Sequence, residues 1–124
     1  MTYTYPRSFI ERLYSLFMKN WLVTWESWDD KKIKDKDRIS AILDDSLPLE
    51  DVLKIVKLLY INHECTISER LQYANGRFDP FSAQVDYSKE TIVYGHDPHL
   101  FARRVKNCRV EGDGWEEKLH WDKI

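Results

Sequence analysis

The chain has 124 residues, a formal net charge of −2, 14% aromatic residues with five Trp among them, and only four Gly and four Pro. Gly and Pro together stand near half their usual share, which excludes collagen-like, linker-like and low-complexity chains. Leu, Ile, Val and Phe supply 33 residues and the charge is close to balance, a composition that speaks against intrinsic disorder.

Residues 1–124 have the length of one domain, so a single compact domain is expected. A pI near 6.1 argues against a global nucleic-acid binder and against a strongly acidic DNA mimic, leaving only local patches for either role. Arg7, Glu11, Arg12 and Lys19 interrupt each candidate leader or membrane-spanning run near the N-terminus. A cytoplasmic protein with Cys65 and Cys108 as reduced thiols is the expectation, with no membrane partner.

The first half reads as helical. Ile10, Leu13, Tyr14, Phe17, Trp21, Trp25 and Trp28 recur at spacings of three and four, one stripe of a helix that Pro6 and Ser8 would start. Past Asn20 the segment WLVTW also fits a short strand. Residues 29–38 are almost wholly charged with alternating sign, either an exposed loop or the solvated start of a helix that turns Ile39, Ile42 and Leu43 inward. Ser46, Pro48, Glu50 and Asp51 then form a helix start of hydroxyl cap, proline and first-turn acids, followed by the apolar face of Val52, Ile55, Val56 and Leu59.

The second half reads as a sheet. Asn75-Gly76 between CTISERLQYA and RFDPFSAQV is a strong hairpin signal and is preferred here. The rival is a helix opened by a Thr66/Glu69 capping box and ended by Asn-Gly. Thr91–Tyr94 reads as a strand. Asp97-Pro98 reads as the cap and first turn of a short helix through Leu100, Phe101 and Val105. A second hairpin is expected from NCRVE, a turn at Gly112-Asp113-Gly114, and WEEKLHW, with Cys108 facing inward. The predicted fold class is therefore α+β, with N-terminal helices packed on a small C-terminal antiparallel sheet.

No phosphate-binding glycine loop, nucleophile elbow, HExxH or CxxC occurs, and four glycines leave little material for a backbone phosphate cradle. His96, Asp97 and His99, completed by Cys108, His63 or Cys65, make the best metal constellation, but loop and cap roles explain these residues more simply, so neither a metal nor another cofactor is expected. A nucleophilic Cys65 or Cys108 with a histidine base is a further enzymatic alternative, against the commoner role of cysteine as a small buried hydrophobe. Neighbouring acids such as Asp29-Asp30, Asp44-Asp45 and Glu116-Glu117 point apart on any regular element and read as solvating charges.

Arg103, Arg104, Lys106 and Arg109 form a basic cluster, and Glu111, Asp113, Glu116 and Glu117 follow it immediately. The main reading is mutual neutralisation across a hairpin, with a bipolar recognition surface as the functional alternative. Of the tryptophans, Trp28, Trp115 and Trp121 are the candidates for a surface, since exposed Trp beside Arg is the composition of a protein-binding hot spot. Trp28, Arg103, Arg104, Arg109, Trp115 and Trp121 are thus the candidate partner-binding residues.

By compositional analogy alone, a bulky, locally charge-rich α+β chain without a catalytic signature is similar to small inhibitory proteins such as toxin-immunity proteins and phage-encoded inhibitors of host defence. A non-enzymatic protein-binding inhibitor acting by occlusion is the leading expectation, with another protein as partner or a homodimer as a variant of it. A small metal- or cysteine-dependent enzyme and a nucleic-acid-binding module using residues 103–109 are the alternatives.

Overall fold

The computed structural model describes residues 19–29, 33, 35–111 and 118–123. Along them run β1 (Lys19–Glu26), α1 (Asp35–Arg38), β2 (Ile39–Asp44), α2 (Leu49–Glu64), α3 (Ile67–Ala74), β3 (Gln84–Asp86), β4 (Thr91–Gly95), β5 (His99–Glu111) and β6 (Lys118–Lys123). The six described strands form one antiparallel sheet in the order β2-β1-β5-β4-β3, with β6 also paired to β5. Val105 and Lys106 pair with β1 on one side and with β6 on the other, so β6 continues the column of β4 along the long β5.

This overturns the expected arrangement. Helices and an antiparallel sheet are both present, but the helices do not precede the sheet: β1 is the first described element, and α2 and α3 lie between β2 and β3. The physical reason lies in WLVTW. Trp21 and Trp25 are four apart, a spacing that shares a helix face and also a strand face. β1 lies between β2 and β5 and is buried on both faces, so its run from Trp21 to Trp25 shows no polar alternation. Ile10, Leu13, Tyr14 and Phe17 lie outside the described residues.

Ile39–Asp44 is likewise a strand rather than a helix, and Asp97-Pro98 precedes β5 instead of opening a helix. The preferred hairpin at Asn75-Gly76 is also wrong. Thr66 and Glu69 form the reciprocal capping box of α3, and Asn75 is its C-cap. Ser46 does not cap α2; its N–H binds Asp44 Oδ1 at 2.8 Å, and Pro48 occupies the cap position without a side-chain bond. The strand at Thr91 and the pairing of the two tail segments match expectation, with Arg109 opposite His120, although the turn at 112–114 lies outside the described residues.

α2 covers one sheet face, packing Val52, Val56, Tyr60 and Ile61 against Trp21, Val23, Trp25, Ile92, Tyr94, Leu100 and Ala102. Trp21 is fully buried, and its indole Nε1 donates to the Leu47 carbonyl at 3.0 Å, tying β1 to the approach to α2. The opposite face carries a smaller cluster of Leu22, Val105 and Cys108 with Ile39, Ile42 and Trp121 against it. Cys108 reaches this face because the β5–β6 register shifts between Lys106 and Arg109, where Asn107 takes φ 56°. Its inward position agrees with expectation.

Candidate functional site

α2 and α3 meet end to end through Cys65 and Thr66, and the fold leaves a cleft of about 530 Å³ between them. α2 lines it with Leu58 and Ile61, α3 with Arg70, Tyr73 and Ala74, and the chain beyond with Phe78 and Asp79. The capping box fixes the start of α3: Glu69 N–H donates to Thr66 Oγ1 at 3.2 Å, and Thr66 N–H donates to Glu69 Oε1 at 2.9 Å. Tyr73 packs against the main core, but no residue of α3 is fully buried.

The outer stripe of α3 is apolar. Ile67, Leu71 and Ala74 stand at i, i+4 and i+7, and Ile67 and Leu71 are 69% and 62% exposed. Leu58 of α2, half exposed, borders the same cleft. Ordinarily such a stripe would face the core. Here the inward side of the helix carries Tyr73 and Arg70 instead.

Arg70 is the electrostatic oddity. Its Nε is closed to solvent and has no hydrogen-bond partner among the described residues. Three described carboxylates near it in sequence or in the cleft have other partners. Glu64 meets His63 Nδ1 at 3.1 Å, Glu69 closes the capping box, and Asp79 accepts from Lys57 Nζ at 2.8 Å and from the Tyr94 hydroxyl at 2.5 Å. Burial pushes the Asp79 carboxyl up, but the bonds from Lys57 and Tyr94 outweigh it and hold the group below its ordinary value. Burial, reinforced by Asp79, pushes the Tyr94 phenol well above its own.

The sequence-predicted residues are scattered by contrast. Trp28 is 86% exposed just beyond β1, where its N–H donates to Asp97 Oδ1 at 3.3 Å and the Ser27 hydroxyl donates to the same oxygen at 2.5 Å. Arg103 turns to the second sheet face. Its Nη1 donates to Thr24 Oγ1 at 2.6 Å and to the Phe101 carbonyl at 3.3 Å, and its guanidinium lies over the Phe101 and Trp121 rings at 4.8 and 5.6 Å. Burial lowers its pKa from the usual arginine value, Glu26 and Cys108 opposing.

Arg104 turns to the other face, 4.4 Å over the Trp21 ring, where Nε binds Glu90 Oε2 at 2.5 Å and Nη1 binds the Asp45 carboxylate and, at 2.6 Å, its carbonyl. The basic cluster is therefore split by strand alternation, and Arg104 is neutralised by Asp45 and Glu90, while Asp113, Glu116 and Glu117 lie outside the described residues. Trp121 packs on Leu22, Val105 and Cys108 and is not a free surface ring. Arg109 sits opposite His120 on β5, and Trp115 lies outside the described residues.

Of the enzymatic constellations, one pairing is separated by the fold. His99 and Cys108 occupy positions nine residues apart on β5, a separation of about 25–30 Å for extended chain. No group of three or more metal-ligating side chains is found among the described residues. The Cys65 thiol is pushed up by burial and then by Glu69 and Glu64, which disfavours the thiolate a nucleophile needs.

No family model, curated protein or solved structure matches this chain.

What the structure offers is thus a set that composition did not single out: Leu58 and Arg70 at the cleft, and Ile67 and Leu71 exposed on the outer side of α3. The signal was present in ISERLQYA, where the capping box and the 67–71–74 spacing both specify a helix, and it was masked by the Asn-Gly pair after it.

Proposed function

We propose that this chain is a non-enzymatic protein-binding protein that docks on its partner through the α3 face and acts by covering part of the partner's surface, as an inhibitor does. The observation that carries this reading is the apolar stripe of α3 turned to solvent, on a helix that also lines the α2–α3 cleft. Fully burying a Leu or Ile side chain stabilises by roughly 1.5–3 kcal/mol, and Ile67 and Leu71 forgo most of that in the free chain. A partner that covers them recovers it, while Trp28 supplies a further exposed ring of the type that anchors interfaces.

Arg103 and Arg104 are committed to contacts within the fold, which weakens the nucleic-acid reading of that cluster. No helix among the described residues is long and apolar enough to cross a membrane. With Cys65 and Cys108 both free thiols, the cytoplasm is the compartment proposed for its action.

The test is affinity capture from the native host with the wild-type chain and with the double variant Ile67→Asp/Leu71→Asp. Both changes are at exposed positions, so the variant should melt within a few degrees of wild type and lose the captured protein. Equal capture by both chains would sink the reading. Sedimentation of the purified chain separates a second copy from a foreign partner: a wild-type dimer that the variant turns into a monomer identifies the mate as this chain itself.

A further inference from the structure

A buried donor without an acceptor is rare in a folded chain, because the group has given up water and received nothing in return. Arg70 Nε is in that state, in a cleft whose acid, Asp79, is held by Lys57 and Tyr94. Arginine differs from lysine in offering two N–H groups along one edge of a planar fork, which matches a carboxylate bidentately. Leu58, Ile61 and Tyr73 line the same cleft as Arg70, and Ile67 and Leu71 stand on the outer face of α3.

We propose that the α2–α3 cleft receives an Asp or Glu side chain of the partner protein, which pairs with the Nε edge of Arg70 while apolar residues beside that acid lie on Leu58, Ile67 and Leu71. The inference rests on the docking reading above and adds the chemistry of the partner's contact segment: one carboxylate flanked by apolar side chains. Nε is closed to water in the free chain, so the guanidinium must rotate about its outer torsions to present this edge. That rotation breaks no Nε hydrogen bond to any described residue. Charge complementarity selects the occupant, since a neutral or basic segment would leave Arg70 as unsatisfied as before.

The consequence is an opposition between stability and binding at one residue. Arg70→Met keeps an unbranched side chain and removes the unpaired donor, so the free variant should melt about 3–6 °C above wild type. Sodium 4-methylpentanoate, a leucine-like tail bearing a carboxylate, should raise the Tm of wild type and leave Arg70→Met unchanged at matched ionic strength. 4-Methylpentanamide should move neither. In the capture experiment, Arg70→Met should retain about tenfold less partner than wild type, or less still. Arg70→Gln, which keeps a polar group of different reach, should show the same loss of capture without the rise in Tm.

An Arg70→Met chain that melts below wild type, or a carboxylate effect equal in both chains, overturns the proposal by showing Arg70 to be structural. If Ile67→Asp/Leu71→Asp abolishes capture and Arg70→Met does not, the docking face stands and the carboxylate falls. If capture ignores Ile67 and Leu71 altogether, the docking reading falls and the proposal falls with it.

Discussion

Gly95 is where a single atom decides the packing of the core. It has φ 104°, a conformation open to glycine and strained for other residues, and a Cβ there would lie 2.4 Å from Tyr60 Cε2 and 3.0 Å from Cδ2. The Tyr60 ring occupies this space and gathers the neighbouring rings, with centroids 5.3 Å from Tyr94 and 5.4 Å from Phe81, both edge-on, and 5.8 Å from Trp25. Gly95→Ala adds backbone strain and overpacking together, so it should destabilise by about 2–4 kcal/mol. Urea denaturation should show a lower midpoint with the slope unchanged. In a Tyr60→Leu background the same substitution should cost less, because the clashing ring is gone; additive effects would show that strain alone matters at this position.

As an element, α3 has no fully buried residue and is held largely by its own ends. Thr66→Ala removes the side-chain half of the capping box, so it should lower Tm by a few degrees. It should speed amide exchange in residues 67–74 more than in α2, whose stripe of Val52, Val56 and Tyr60 is locked to the sheet. Equal acceleration in both helices would mean that α3 opens only with the whole domain. The legibility of the elements follows the same physics. α2 was plain in sequence because Pro48, Glu50 and Asp51 precede a 3.6-residue apolar period. β1 was obscured because two buried faces erase the alternation that marks a strand, and β5 because Arg103 and Arg104 both carry charge while facing opposite sides. The docking face was harder still: a preferred hairpin at Asn75-Gly76 hides the helical stripe of Ile67 and Leu71, and the isolation of Arg70 Nε depends on Glu64, Glu69 and Asp79 each finding another partner.

Across the whole molecule, the sheet sorts the tryptophans by face and by distance from its centre. Trp21 and Trp25 point under α2 and are almost wholly buried. Trp121 closes the smaller cluster on the opposite face, where Arg103 links its ring to Phe101 and to the buried Thr24, whose hydroxyl donates in turn to Glu26 Oε1 at 3.0 Å. Glu26 also accepts from Arg38 at 3.0 Å, so this face is joined across β5 and β1 as far as α1, which leads into β2. Trp28, beyond the last paired residue of β1, has left both layers. Two rings that composition treats alike should therefore behave oppositely. Trp121→Ala opens a gap over Leu22, Val105 and Cys108 and should destabilise by about 2 kcal/mol, less than a fully buried Trp would. Trp28→Ala removes a ring already in water and should leave Tm within a few degrees while weakening capture of the partner. Calorimetry of the two variants beside wild type checks this directly, and equal losses of Tm would mean that Trp28 is held by the fold rather than presented by it.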